Sequence, residues 1–221
     1  SSQFTVRQNP EHRYHFVQIE NGNYMIRSTN LDETINITNS AYSSWRPHKN
    51  NVANKIAFLQ TIAGQTHLMT ADLNGENKQQ ISQVPLNGFR SNYLDFAWHK
   101  DGSKFIFPSF DVLYMINSDG TGQHQIYQTT DGHFITKCAW SYDGSKIAIV
   151  TNDIYGYQAK IHILSSAGAH IETIFENQNG AVGGLDWNIT GDKLLFTHDV
   201  SGYQDNEYRQ LDTRILIYNF S

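Results

Sequence analysis

Residues 140–149 read Trp-Ser-Tyr-Asp-Gly-Ser-Lys-Ile-Ala-Ile, and this pattern recurs along the chain. Residues 98–107 repeat it as Trp-His-Lys-Asp-Gly-Ser-Lys-Phe-Ile-Phe, and residues 187–196 as Trp-Asn-Ile-Thr-Gly-Asp-Lys-Leu-Leu-Phe. Weaker copies begin at Lys55 and Arg13, so the basic residue falls at 13, 55, 104, 146 and 193, with gaps of 42, 49, 42 and 47 residues. A four-stranded propeller blade has a period of this length. The repeat therefore predicts an all-β chain with the β-propeller fold.

The Asp-Gly pair between two apolar runs indicates a tight turn, because both residues tolerate positive φ at little cost. We expect four-stranded antiparallel blades at about 4–38, 42–82, 93–128, 135–175 and 182–220, the last without its fourth strand. Residues 1–221 are predicted to form a single propeller domain. Either Phe4–Arg7 supplies the missing strand of the fifth blade, which leaves the first blade three-stranded, or sequence is missing. We favour missing sequence, that is, a fragment of a larger propeller, or an open array that is capped in another way.

Composition limits the kinds of partner. The net charge is −5, and no run of lysine or arginine supplies the basic stripe that displaces counterions from phosphate, so we expect no nucleic-acid partner. No apolar stretch approaches the roughly 20 residues of a membrane helix, and no signal peptide is visible. The single cysteine, Cys138, lies in an apolar run and is predicted to be a buried core residue.

The Trp-Ser-x-Asp-Gly-Ser-Lys-Ile-Ala run, followed by an aliphatic strand and an Asn-x-Asp-Gly turn, resembles the TolB-type (WD40-like) propeller repeat family. The resemblance extends over nearly the whole chain, is strongest around Trp98 and Trp140, and weakens at Lys55 and Arg13. It implies a bacterial exported protein, periplasmic or secreted, that binds other proteins, or a propeller attached to a catalytic domain. Such propellers usually have six or more blades. The resemblance indicates the fold more securely than the function.

Candidate binding residues fall where the second strand of a blade turns into the third and where one blade connects to the next. We call this end of the sheets the long-loop face. Two of its loops share the motif Asp-x-x-Gly-Tyr-Gln, at 153–158 and at 199–204, and the second continues into a long insertion. Irregular loops of this length are often functional. The predicted ligand-binding residues are Arg90, His133, Asp153, Tyr155, Tyr157, Gln158, His198, Asp199, Tyr203, Gln204 and Arg209.

Each candidate also has a structural interpretation. The motif's aspartate can cap the loop backbone, its glycine can permit the turn, and its tyrosine can cover the neighbouring blade. Four carboxylates, Asp199, Asp205, Glu207 and Asp212, could supply oxygen ligands to calcium, although their spacing matches no established loop. The same carboxylates could instead serve a glycosidase as acid and base.

These patterns favour a non-catalytic scaffold that docks a protein or a glycan on the long-loop face, with no cofactor other than a possible calcium ion. The alternative is a carbohydrate-active propeller enzyme or the propeller accessory domain of a peptidase. Neither a Gly-x-Ser-x-Gly nucleophile elbow nor a phosphate-binding Gly-Lys-Ser/Thr sequence is present.

Overall fold

The structure is a computed structural model that describes residues 13–30, 32–39, 41–88, 90–178, 180–199 and 213–220. In these ranges the chain is nearly all β. Antiparallel strands form five sheets, and the one helical segment described is a three-residue 3-10 turn at Ser91–Tyr93. No helix in the described ranges is long and apolar enough to cross a membrane. By strand contacts the chain divides into two compact units, 1–80 and 81–221.

The first unit contains two sheets. The first sheet consists of β1 (Tyr14–Glu20), β2 (Asn23–Thr29) and β3 (Thr34–Asn36), in that order. The second sheet consists of β4 (Ser44–Asn50), β5 (Lys55–Ile62), β6 (Gln65–Asp72) and β7 (Gln79–Gln80). Buried Ile26, Ile37, Ile56, Phe58 and Met69 join the two sheets through one apolar cluster.

The second unit contains three sheets. The third sheet is β8 (Ala97–Trp98), β9 (Lys104–Ser109), β10 (Val112–Asn117) and β11 (His124–Gln128). The fourth is β12 (Phe134–Trp140), β13 (Lys146–Asn152), β14 (Ala159–Ser165) and β15 (His170–Asn177). The fifth is β16 (Val182–Trp187), β17 (Lys193–Asp199) and β18 (Thr213–Asn219). Each sheet is a meander in which every strand pairs with the next one along the chain.

The apolar run of β13 lies in the core because this second strand of the fourth sheet is covered on both faces. In β13, Ile147 and Ile149 pack toward the third sheet, while Ala148 and Val150 pack toward the fifth. Since successive side chains of a strand point to opposite faces, a strand with neighbours on both sides needs apolar residues at every position. The run Ile-Ala-Ile-Val therefore marks a strand buried between two sheets.

Cys138 lies in this core, 5% exposed, as predicted from its apolar surroundings. Residues 4–12 of the predicted first blade lie outside the described ranges. The third blade was predicted to begin at residue 93, but its first strand, β8, contains only Ala97 and Trp98. The amide of His99 donates to the carbonyl of Lys104, so even-numbered residues of β9 face β8. After Ile106, the next residue of β9 whose backbone groups point toward β8 is Pro108. Proline has no N–H to donate, so the hydrogen bonding between β8 and β9 ends there.

Candidate functional site

The loop between β13 and β14, residues 153–158, is the clearest candidate site on the long-loop face of the second unit. The carboxylate of Asp153 accepts hydrogen bonds from the amides of Tyr155 (2.9 Å) and Tyr157 (2.8 Å). The amide of Asp153 donates to the carbonyl of Tyr157 (2.9 Å), and that of Gly156 donates to the carbonyl of Asp153 (3.0 Å). Gly156 has a φ of +91°, which a residue with a β-carbon would rarely adopt. Asp153 therefore fixes the loop from within, the capping role that sequence reasoning gave as its structural interpretation.

Neighbouring strands hold the same loop from outside. The side-chain amide of Asn152 donates to the carbonyl of Gly156 at 3.2 Å and receives a hydrogen bond from Thr136 at 2.8 Å. The amide of Gln158 donates to the carbonyl of Gln178, the residue that follows the end of β15. A loop with this many internal bonds has little backbone freedom left to lose when it binds a partner.

This fixed backbone presents two apolar side chains to solvent. Ile154 is 52% exposed and Tyr155 is 71% exposed. Tyr157 is half-buried, whereas Gln158 is exposed. Close by, Phe134 pairs with Asn152 across β12 and β13 and packs on Phe110, with ring centroids 5.2 Å apart. Ile154 and Phe110 were not predicted as site residues. The sequence did offer signals for both. Ile154 is an aliphatic residue next to the aspartate of the motif, and Phe110 is an aromatic residue at the equivalent turn of the preceding blade.

His133 lies beneath the loop and is 6% exposed. Its Nε2 atom is 3.3 Å from Oε1 of Gln158, and its Nδ1 atom is 3.5 Å from a carboxylate oxygen of Asp131. Asp131 also accepts a hydrogen bond from Lys160 at 2.8 Å. Burial raises the pKa of Asp131, but Lys160 and the amide of His133 outweigh it and leave that pKa below its usual value. The imidazole thus supports the loop from below rather than facing solvent.

The predicted residues at the end of β17 are also enclosed. His198 is 4% exposed, and its ring lies edge-on to Phe175 with centroids 5.1 Å apart. Asp199 is 8% exposed, and its amide donates to the carbonyl of Ala181. Arg90, in contrast, is exposed, and its carbonyl accepts the amide of Tyr93 at the start of the 3-10 turn.

The other predicted residues lie outside the described ranges, namely Tyr203, Gln204, Asp205, Glu207, Arg209 and Asp212. The shared surface of the two Asp-x-x-Gly-Tyr-Gln loops, the calcium site and the glycosidase carboxylates therefore stay predictions. In the ranges that the structure describes, no group of three histidine, cysteine, aspartate or glutamate side chains is arranged to hold a metal ion.

A second polar feature of this unit was not predicted. His162 on β14 and His170 on β15 line a pocket of about 370 Å³ with Tyr127 and Asp131. The hydroxyl of Thr173 lies between the two imidazoles, 2.8 Å from Nδ1 of His162 and 3.2 Å from Nε2 of His170. Nε2 of His162 is in turn 3.2 Å from the hydroxyl of Thr151. Burial, together with the nearby His170 and Lys160, lowers the pKa of His162 to about 4. The ring is therefore neutral near pH 7, with both nitrogens already bonded within the protein.

Comparison with known proteins bears on the fold. No family model and no curated protein sequence matches this chain. Among solved structures, putative TolB from Agrobacterium tumefaciens shares 15% identity and a TM-score of 0.68, over 96% of this chain and 75% of that one. TolB from Acinetobacter baumannii shares 16% identity and a TM-score of 0.64, over 89% of this chain. The match spans 46% of that TolB chain, about half of its length.

Other similar structures have different names. A chain of the nidogen/laminin complex matches with 12% identity and a TM-score of 0.62, over 84% of this chain and 70% of that one. Enzymes also occur, among them the tricorn protease, with 10% identity and a TM-score of 0.59 over 93% of this chain and 20% of that one. At such low identity these matches indicate fold alone. They confirm the sequence prediction of a multi-blade β-propeller, and the fold of this chain is that of the TolB-like propellers.

Proposed function

We propose that this chain is a non-catalytic binding scaffold that docks a protein or a glycan on its long-loop face. The observation that carries the proposal is the 153–158 loop, whose backbone is fixed by Asp153 while Ile154 and Tyr155 stay in solvent. Exposing a large aromatic and an aliphatic side chain together on a rigid loop gives no stability to the fold. It favours binding, because tyrosine offers a large ring and a hydroxyl at a small cost in conformational entropy.

The surroundings of the loop suit a recognition surface. Phe110 and Phe134 extend the apolar area, and the Asp131–Lys160 ion pair with Gln158 supplies polar groups at its margin. An apolar centre with a polar rim is the usual anatomy of a protein interface. One of the similar structures comes from a complex between two proteins, and its name supports a binding role. By its resemblance to TolB-type propellers, we expect the protein in the periplasm or outside a bacterial cell.

The test compares Tyr155→Ser with wild type in two screens, a glycan array and photo-crosslinking to a bacterial envelope extract. Tyr142→Ser is the matched control, because Tyr142 is also exposed (42%) but lies in the turn at the opposite end of the sheet. We expect Tyr155→Ser to weaken binding by about 2 kcal/mol or more, as at an interface hot spot, and Tyr142→Ser to change nothing. Binding that is equal in both variants, or absent from wild type, would contradict the proposal.

The second candidate is an enzyme or the accessory propeller of a peptidase, which the similarity to the tricorn protease favours. Asp199→Asn and Glu207→Gln address the carbohydrate-active version. Turnover of glycoside or uronide substrates by wild type, lost in both variants, would support the enzyme over the scaffold. Calorimetric titration of the same proteins with Ca²⁺ tests the calcium prediction, since the Asn and Gln variants each remove one charged ligand.

A further inference from the structure

The pocket beside β11, β14 and β15 contains two imidazoles whose ring nitrogens converge on one oxygen atom. This oxygen is Oγ1 of Thr173, which lies 2.8 Å from Nδ1 of His162 and 3.2 Å from Nε2 of His170. The two ring centroids are 5.4 Å apart, and both rings line the pocket of about 370 Å³. Two nitrogens that face a common point next to an open pocket are arranged as two ligands of one ion are.

A β-bulge brings the two histidines to the same face of the fourth sheet. His162 lies opposite Thr173, and Leu164 lies opposite His170, with a register shift between Ile163 and Leu164. His170 and Thr173 are three residues apart on β15, and in a regular strand such residues point to opposite faces. The extra residue at the shift reverses His170, so that its ring lies on the face that carries Thr173 and His162. Bulges often redirect a side chain in this way beside functional sites.

A second hydroxyl orients the ring of His162. Thr151 is fully buried, and its Oγ1 atom is 3.2 Å from Nε2 of His162. When Nε2 donates its proton to this hydroxyl, Nδ1 keeps its lone pair on the side of Thr173 and His170. A histidine that binds a metal is commonly held in this way through its other ring nitrogen. The ring is also neutral near pH 7, which is the state that binds a metal, because burial is the main cause that lowers its pKa to about 4.

We propose that Nδ1 of His162 and Nε2 of His170 bind one divalent transition-metal ion, Zn²⁺ or Cu²⁺, in this pocket. Imidazole is a preferred ligand of both ions. Each ring has to move by only about 1 Å to reach the zinc–nitrogen distance of roughly 2.0–2.1 Å. No third histidine, cysteine or carboxylate completes the set within the described ranges, so the hydroxyl of Thr173 and water fill the remaining positions. The pocket has room for that water.

Such an ion links β14 to β15. It stabilises the folded chain by mass action, because the unfolded chain does not hold the two rings together. Neither histidine belongs to the recognition surface around the 153–158 loop. The inference therefore does not depend on the proposed binding role, and the failure of one leaves the other standing.

Calorimetric titration of the metal-free chain with Zn²⁺ and with Cu²⁺ at neutral pH tests the proposal. We expect a site for one ion per chain. His162→Gln and His170→Gln should each weaken binding at this site by about tenfold or more, because each removes one of its two nitrogen ligands. His124→Gln is the matched control: His124 is exposed on β11 and does not line the pocket, so its variant should bind like wild type.

Nitrogen-15 NMR of the imidazoles identifies the atoms that bind. Addition of Zn²⁺ should shift Nδ1 of His162 and Nε2 of His170 and leave His124 unchanged. Thr151→Val removes the outer hydrogen-bond partner and should weaken zinc binding by about tenfold. A wild-type chain that binds neither ion below about 1 mM would overturn the proposal, as would binding that is unchanged in both His162→Gln and His170→Gln.

Discussion

The imidazole of His99 in the third sheet packs directly against the α-carbon of Gly144 in the fourth. A β-carbon at Gly144 would overlap the ring, and the same imidazole lies edge-on to Trp140 with centroids 5.0 Å apart. Gly144 belongs to the repeated Asp-Gly turn and has a φ of +72°. The glycine of the repeat therefore serves two purposes here: it forms a hairpin turn, and it lets the preceding blade approach.

Gly144→Ala should separate these two purposes. Gly191 occupies the same turn in the fifth sheet with a φ of +71°, but no atom lies within 4 Å of a β-carbon built there. We expect Gly191→Ala to cost about 1 kcal/mol from backbone strain alone, and Gly144→Ala about 2–4 kcal/mol, because overlap with His99 is added. Urea unfolding measures both. Adding His99→Ala to Gly144→Ala should restore part of the lost stability. Equal losses in Gly144→Ala and Gly191→Ala would show that contact with His99 does not require a glycine at position 144.

Acid should weaken the Asp-Gly turns. Hydrogen bonds from Ser141 and from the amide and hydroxyl of Ser145 lower the pKa of Asp143 from 3.8 to about 2. A carboxyl whose pKa is lower in the folded than in the unfolded state contributes stability above pH 4, which is lost as the pH falls from about 4 toward 2. Asp143→Asn should therefore show a shallower loss of unfolding free energy than wild type over that interval. An identical slope would show that the turn carboxylate does not take part.

A separate loss of stability is expected between pH 6.5 and 4 from His162. Burial is the main cause that lowers its pKa from 6.5 to about 4, so the unfolded chain binds a proton in this interval and the folded chain does not. Stability is then complete above pH 6.5 and decreases as the pH falls, by about 1–2 kcal/mol when the partial exposure of the ring is allowed for. His162→Gln should remove this decrease. His124→Gln, at an exposed histidine of β11, is the control and should retain it.

Asp153→Ala should loosen the candidate binding loop while leaving the sheets intact. The substitution removes the acceptor of two backbone hydrogen bonds, each contributing about 1 kcal/mol. The amides of Tyr155 and Tyr157 should then exchange hydrogen about tenfold faster or more, with amides of β13 unchanged. Hydrogen exchange read by NMR measures this. Unchanged protection of both tyrosine amides would mean that the neighbouring strands alone fix the loop.

The sequence by itself determined the fold and most of the strands. The repeat fixed the period, the Asp-Gly pairs located the hairpins, and runs such as 147–150 marked strands buried on both faces. These signals are local, since a turn needs particular backbone angles and a doubly covered strand needs apolar side chains at every position. Even the shortened β8 follows from a local cause, because Pro108 removes one donor from the ladder.

Only the tertiary structure decided which polar residues face solvent. His133 and His198 stand at loop positions in the sequence, yet the loops and strands around them leave 6% and 4% of each exposed. Seven residues separate His162 from His170 in the sequence. The two rings come together because β14 and β15 form a hairpin, in which the hydroxyl of Thr173 contacts both. Burial and side-chain contacts depend on residues from several blades at once, so the spacing of residues within one repeat does not predict them.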